Sequence, residues 1–113
     1  MSKVILITGA SSGIGKAIGD FLCNKNFKVY GTSRDPSKYL GSNFQLFDLN
    51  VNSSASINKC IDEIIKIEGG IDVLINNAGV GITGPLEEIP EIEIENNFKT
   101  NFFGPLNIIK KIL

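Results

Sequence analysis

The sequence contains no histidine, and cysteine and tyrosine each occur only twice. With no imidazole side chain, zinc sites and histidine-based acid–base catalysis are effectively excluded. Cys23 and Cys60 lie far apart and form no C-x-x-C pair, which indicates buried thiols in a reducing compartment rather than a disulfide framework. The sequence also lacks a signal-peptide arrangement and any apolar run of membrane-spanning length. We therefore expect a soluble, cytoplasmic protein.

Charge of one sign is not concentrated anywhere in the chain. Eleven basic and twelve acidic side chains are interspersed, so neither a nucleic-acid surface nor a membrane patch is expected. A length of 113 residues with 42% hydrophobic content suits one compact domain over residues 1–113. The expected partner is a small molecule or another protein.

Predicted strands alternate with predicted helices along the chain. Residues 4–7 form an uninterrupted apolar run, and an apolar stripe at helical spacing begins at Ile14 and ends at the polar segment 24–26. Further strands are predicted at 27–32, 44–47 and 71–75, a helix start at 35–37, and helices at 53–67 and 90–113. This alternation predicts an α/β fold of Rossmann type, with a doubly wound parallel sheet, strand order 3-2-1-4 and helices on both faces. The outer edge of the fourth strand is expected to favour association, because no later strand in the sequence can pair with it.

A glycine-rich loop connects the first strand to the first helix. Such a loop directs unpaired backbone N–H groups and the positive end of the helix dipole at whatever lies beyond the sheet, which makes an anion site. Gly9 would allow the tight turn, Gly13 the approach of a pyrophosphate, and Gly15 the close packing of helix and sheet. Thr8, Ser11 and Ser12 would add hydroxyl groups to the rim. A glycine-rich turn that binds nothing is the alternative, but the strand–loop–helix context favours a dinucleotide. The candidate contacts are Thr8, Gly9, Ser11, Ser12, Gly13, Ile14 and Gly15.

Four stretches together resemble the short-chain dehydrogenase/reductase family. They are "TGASSGIG" at 8–15, "FDLNV" at 47–51, "NNAG" at 76–79 and "NFFG" at 101–104, and they occur in the family's order and spacing. The resemblance implies that Asp48 hydrogen-bonds the adenine amino group while Leu49 packs beside the ring. It also implies that Asn101 lies at a local helix distortion and places a relay water. The strand-four motif, implied to stabilise the sheet and wall the adenine ribose, comprises Asn76, Asn77, Ala78 and Gly79.

The end of the second strand bears on the choice between NADP and NAD. Ser33 falls where NAD-preferring relatives have their acidic residue, and Arg34 falls where NADP-preferring ones bind the 2′-phosphate. Asp35 precedes Pro36 and is better explained as a helix N-cap. We favour NADP, because a guanidinium fits a phosphate in bidentate fashion, and keep NAD as the alternative.

The family's hydride transfer between nicotinamide and a carbonyl or alcohol also uses a tyrosine, a lysine four residues later and a serine. Neither Tyr30 nor Tyr39 is followed by lysine at that distance, so only Asn101 has a counterpart. The sequence predicts a cofactor-binding half without a proton donor.

Three interpretations of this half remain. The chain is the amino-terminal half of an NADP-dependent oxidoreductase, a non-catalytic nucleotide-binding module, or a part that completes its site with another chain. Because the pattern stops at Leu113 without a helix stop signal, we favour the first.

The substrate and the assembly are less defined by the sequence. The loop 79–90 is either a wall of the nicotinamide end or a plain connector. Residues 101–113 resemble a helix that packs against a neighbouring subunit in family dimers and tetramers, and Phe103 and Ile112 add apolar surface. A homo-oligomer is therefore expected.

Overall fold

The structure is a computed structural model, and it describes residues 2–38, 43–79 and 88–113. Its strands are β1 (Val4–Ile7), β2 (Lys28–Ser33), β3 (Gln45–Asp48) and β4 (Val73–Ile75). They pair in parallel in the order β3-β2-β1-β4, which confirms the predicted topology. The second and third strands each begin one residue later than the apolar pattern suggests, and β4 begins two residues later.

The helices are α1 (Gly13–Asn24), α2 (Ser54–Glu68), α3 (Glu91–Phe98) and α4 (Gly104–Ile112). Ser53 caps α2, since its side chain accepts a hydrogen bond from the Ser56 N–H. Pro36–Lys38 forms only a short 3₁₀ turn where a helix start was predicted. The predicted helix 90–113 is not continuous, because a π-helical turn at Lys99–Phe103 separates α3 from α4.

Apolar side chains are buried on both faces of the sheet, as predicted for a doubly wound fold. On one face, Leu6 and Phe47 belong to a cluster that includes Ile61 and Ile64 of α2 and Ile108 of α4. The other face carries a second cluster that packs β1 and β2 against α1. In the described part of the chain, no helix is long and apolar enough to cross a membrane.

The ring of Phe44 lies between two glycines, one on α1 and one on β2. A Cβ atom at Gly19 would come within 2.5 Å of Phe44 Cζ, and one at Gly31 within 2.6 Å of Phe44 Cε2. The ring therefore cannot retreat from one glycine without meeting the backbone at the other. This arrangement sets the spacing between α1 and the sheet, and hence the position of the loop before α1.

Gly19→Ala is expected to destabilise the protein by about 1–3 kcal/mol, because the added methyl group overpacks this contact. At an unconstrained helix position, the same substitution would stabilise by about 0.5–1 kcal/mol. Urea unfolding of Gly19→Ala in the wild-type and Phe44→Leu backgrounds measures the effect, and the penalty should shrink when the ring is absent. An equal penalty in both backgrounds would show that Phe44 is not the obstacle.

A hydrogen-bonded cluster joins β2 to the carboxyl end of α2. It lies toward the amino ends of the strands. Tyr30 donates its O–H to Glu68 Oε2, and Lys28 Nζ lies 3.2 Å from both Glu68 carboxylate oxygens. Burial of the phenol, together with its hydrogen bond to the carboxylate, raises the pKa of Tyr30 to about 12. The hydrogen bond from Tyr30 and the proximity of Lys28 lower the pKa of Glu68.

The pKa of Tyr30 predicts a specific loss of stability at alkaline pH. Because the folded-state pKa lies above the ordinary value of 10, the contribution is fully present below pH 10 and is lost as the pH rises toward 12. The free energy of unfolding of the wild type should therefore fall more steeply above pH 10 than that of Tyr30→Phe. Urea titrations at several alkaline pH values test this, and parallel curves for the two proteins would contradict it.

Candidate functional site

A cleft of about 370 Å³ opens at the carboxyl ends of the strands, where ligands of open α/β sheets bind. Loops after all four strands and the π-helical turn contribute to it. The candidates from the sequence that line this cleft are Gly9, Ser12, Ser33, Arg34, Leu49, Asn77, Ala78 and Gly79. The cleft is also lined by three residues that were not candidate contacts from the sequence, namely Thr32, Val51 and Thr100.

The amino end of α1 is open to an incoming anion. Gly9 and Gly13 have φ values of +65° and +60°, the left-handed conformation that favours glycine. Ser12 occupies the N-cap position, but its side chain makes no capping hydrogen bond, and a Cβ atom at Gly13 would meet nothing within 4 Å. The first amides of α1 are therefore not covered by the residue that could have capped them, which suits the binding of an anion.

Gly15 packs directly on the turn that leaves β1. A Cβ atom at this position would overlap the carbonyl oxygen of Gly9 and lie 2.5 Å from Asn77 Nδ2. Since part of this obstruction is main chain, only glycine allows α1 to start so close to the sheet. The helix end is thus held against the glycine loop.

Thr8 and Asn77 fasten the glycine loop to the end of β4. Thr8 Oγ1 accepts hydrogen bonds from the N–H groups of Asn77 and Ala78, both at 3.0 Å, and Asn77 Nδ2 donates to the Gly9 carbonyl at 3.0 Å. The Thr8 side chain is only 1% exposed. The expectation that Thr8 adds a hydroxyl to the rim is wrong, because this hydroxyl is turned inward to satisfy the backbone after β4.

The end of β2 brings Arg34 into the cleft. Ser33 is buried, and its Oγ accepts a hydrogen bond from the N–H of Asp35 at 3.2 Å. Arg34 is exposed and lines the cleft. Ser37 donates its hydroxyl to Asp35 Oδ1 at 2.6 Å, which links Asp35 to the 3₁₀ turn, and the helix N-cap role of Asp35 stays a prediction. The described geometry leaves Arg34 as the basic group of the cleft at the end of β2.

The segment after β3 forms part of the wall of the cleft. Leu49 is buried and lines the cleft, whereas Asp48 is exposed and lines a neighbouring cavity of about 310 Å³. Val51 packs against the start of α4, where a Cβ atom at Gly104 would lie 2.9 Å from Val51 Cβ. The contact between Asp48 and adenine stays a prediction.

The helix distortion expected at Asn101 is present as the π-helical turn, closed by a hydrogen bond from Gly104 N–H to the Lys99 carbonyl. The Asn101 side chain lies beside Gly79, since a Cβ atom there would be 2.8 Å from Asn101 Oδ1. Thr100 accepts a hydrogen bond from Asn52 Nδ2 at 3.0 Å, which ties the turn to the segment after β3. The fold thus brings the third and fourth motifs of the sequence together.

The remaining candidates lie around the cleft without lining it. Ser11 is half-buried, Ile14 is 74% exposed in the first turn of α1, and Asn76 is exposed after β4. Tyr39 and most of the loop 79–90 lie outside the described residues. Among the residues that the structure describes, no group of side chains is arranged to hold a metal ion.

Comparison with protein families identifies one match along nearly the whole chain. The family model described as short chain dehydrogenase matches residues 3–113. The chain is 45% identical over 111 residues to a 3-ketodihydrosphingosine reductase from Bacteroides thetaiotaomicron, which covers 98% of this chain and 41% of the relative. An NADPH-dependent 3-dehydrocapnine reductase from Ornithobacterium rhinotracheale is 33% identical, with 98% and 42% coverage.

Solved structures also resemble nearly the whole of this chain over less than half of their own length. A ligand-free aldohexose dehydrogenase from Thermoplasma acidophilum superposes with a TM-score of 0.91 at 31% identity, covering 98% of this chain and 43% of that one. ElxO with NADP bound superposes with a TM-score of 0.85 at 30% identity, covering 98% and 49%. The chain therefore spans less than half the length of each of these proteins.

Proposed function

The chain belongs to the short-chain dehydrogenase family, and from this premise we propose that it forms the dinucleotide-binding domain of an NADP-dependent oxidoreductase. The observation that carries the proposal is the uncapped amino end of α1, open to a cleft that also contains Arg34. A helix amino terminus and a guanidinium each favour a phosphate group. Two phosphate-binding features in one cleft match a ligand with a diphosphate and a separate 2′-phosphate.

The preference for NADP rests on Arg34. A guanidinium can bind a phosphate through two parallel hydrogen bonds, whereas the usual partner of the 2′-hydroxyl of NAD is an acidic residue. The names of two relatives support this choice, since one is described as NADPH-dependent and another has NADP bound. NAD is the alternative.

The chain's own residues would hold the dinucleotide in a defined order. The amides from Ser11 to Gly15 would bind the diphosphate, and Leu49 and the segment 76–79 would wall the adenosine. Asn101 would lie behind this wall, beside Gly79. When bound, a nicotinamide dinucleotide supplies the hydride that is exchanged with a carbonyl or alcohol substrate. Because the relatives' names range from a keto-sphingosine reductase to an aldohexose dehydrogenase, our proposal extends only to that substrate class.

We propose that these 113 residues bind the dinucleotide without turning over substrate. No tyrosine of the sequence is followed by lysine four residues later. Tyr30 donates its O–H to Glu68, which lies toward the amino ends of the strands and away from the cleft. A positioned general acid contributes on the order of 10² to 10⁴ in rate, so its absence would leave a binding domain.

The extent of the domain, its cellular compartment and its assembly are also proposals. We propose one domain over residues 1–113, since both hydrophobic clusters share one sheet. We further propose a cytoplasmic homo-oligomer. Two free cysteines support the reducing compartment, and the exposed, edge-to-face rings of Phe102 and Phe103 support association through the helical side.

Fluorescence titration with NADPH and NADH tests the proposed function. We expect saturable binding of both, with a Kd for NADPH at least about tenfold lower, because one additional charged contact contributes about 1.4 kcal/mol or more. If the protein bound neither NADPH nor NADH, the proposal would be overturned. Equal affinities would overturn only the preference for NADP.

A further inference from the structure

Two consecutive amides at the start of the glycine loop bond to the same residue of β2. The Gly9 N–H donates to Thr32 Oγ1 at 3.1 Å, and the Ala10 N–H donates to the Thr32 carbonyl at 2.9 Å. Thr32 is only 2% exposed, although it lies at the border of the cleft. One residue therefore fixes two adjacent peptide groups of a loop that lies 23 residues away in sequence.

The side-chain hydroxyl performs a task that the backbone of β2 cannot. β1 pairs with β2 through Ile7 opposite Gly31, and beyond this pair the chain turns away at Gly9 with φ +65°. The Gly9 N–H leaves the regular ladder there, and the Thr32 hydroxyl accepts its hydrogen bond. Without this acceptor the part-buried Gly9 amide would lose its protein partner, so the turn would shift to regain one.

The direction of the Gly9 N–H also bears on how the loop binds. This group and the Gly9 carbonyl both have partners inside the protein, namely Thr32 and Asn77. Gly9 therefore shapes the turn, while the amides that follow it remain for an anion. Because Gly9 and Ala10 are fixed, they set the orientation of the residues that follow, which lead directly into the uncapped start of α1.

We infer that Thr32 is a positioning residue for the dinucleotide, acting through its hydroxyl on the Gly9 amide. Because Thr32 precedes Ser33 and Arg34, the same residue also fixes the spacing between the diphosphate-binding amides and the group proposed to bind the 2′-phosphate. The inference rests on the proposed function and adds a residue that does not itself need to touch the ligand.

Two substitutions separate the hydroxyl from the shape of the side chain. Thr32→Val keeps the volume and removes the acceptor, whereas Thr32→Ser keeps the acceptor and removes a methyl group. We expect the Kd for NADPH to rise about tenfold in Thr32→Val, because the hydrogen bond that holds the Gly9 amide is lost. In Thr32→Ser the Kd should stay within about twofold of the wild-type value. Ser53→Ala, which removes the cap of α2, is the control for a general loss of stability and should leave the Kd unchanged.

Adenosine 2′-monophosphate distinguishes positioning of the loop from a general distortion of the cleft. This probe has the 2′-phosphate but lacks the diphosphate, so its affinity should differ by less than about twofold between wild type and Thr32→Val. Equal weakening of this probe and of NADPH would overturn the inference. Wild-type affinity for NADPH in Thr32→Val, or equal weakening in the valine and serine variants, would overturn it as well.

Amide hydrogen exchange measured by NMR without nucleotide tests the hydrogen bond itself. The Gly9 amide should exchange at least about tenfold faster in Thr32→Val than in wild type, and Thr32→Ser should restore its protection. Unchanged exchange would show that the hydroxyl does not hold Gly9, and would overturn the inference even if NADPH binds. If the wild type binds no NADPH, the proposed function fails and the role of Thr32 in binding fails with it, while the exchange rates still report whether the contact exists.

Discussion

Gly15→Ala is expected to weaken NADPH binding at least about a hundredfold, because it displaces the amides that would bind the diphosphate. A hundredfold rise in Kd corresponds to a loss of about 2.7 kcal/mol of binding free energy. The added methyl group would overlap the Gly9 carbonyl and lie 2.5 Å from Asn77 Nδ2. Relief requires α1 to move away from the loop or the bond between Asn77 and Gly9 to break. Either change displaces the amides from the arrangement that would receive the diphosphate.

The matched control for Gly15→Ala is Gly70→Ala. A Cβ atom at Gly70 would meet nothing within 4 Å, and this residue lies beyond α2 at the other edge of the sheet. Fluorescence titration should give wild-type affinity for Gly70→Ala, and urea unfolding should show a loss of stability only in Gly15→Ala. Wild-type affinity in a folded Gly15→Ala protein would show that close packing at this point does not position the binding amides.

Arg34→Asp is expected to weaken NADPH binding about a hundredfold and to leave NADH within about threefold, because the substitution replaces attraction for the 2′-phosphate by repulsion. The side chain is exposed at the border of the cleft, so its removal should not disturb the fold. The ratio of the two Kd values, taken from parallel fluorescence titrations, isolates the contribution of the 2′-phosphate from effects common to both dinucleotides.

Lys3→Asp changes the net charge by the same amount at the amino end of β1, at the sheet edge opposite the cleft. This variant should leave the ratio unchanged, and any small effect on both ligands measures the long-range field alone. If Arg34→Asp weakened both dinucleotides equally, the guanidinium would not distinguish them and the preference for NADP would lack its basis.

The fold could be predicted from the sequence because its signals are local. A buried parallel strand appears as a short apolar run, and each amphipathic helix repeats its apolar positions at three and four residues. The glycine loop between the first strand and helix predicted the turn at Gly9 and the close contact at Gly15. Strand ends were displaced by one or two residues, and at the carboxyl ends of β2 and β3 the pair of Ser33 and Asp48 extends the ladder one residue beyond the predicted strands.

The parts that escaped prediction depend on contacts between distant segments. Thr32 and Thr100 engage partners 23 and 48 residues away, and nothing in the adjoining sequence marks their hydroxyl groups as acceptors. Thr8 was expected on the rim from its residue type, yet it directly follows a fully buried strand and its hydroxyl serves the backbone after β4. Residue type indicated the available chemistry, while tertiary packing determined the direction of each side chain.

The function proposed for this protein requires the amides between the first strand and the first helix to bind the diphosphate of a dinucleotide. Titration of the ¹⁵N-labelled protein with NADPH, followed by amide NMR spectra, tests it most directly. We expect the amide signals of Ser11, Ser12 and Gly13 to shift and saturate at the same ligand concentration, while Gly69 and Gly70 at the opposite edge remain in place. Saturable binding with unmoved signals at residues 11–13 would contradict the account.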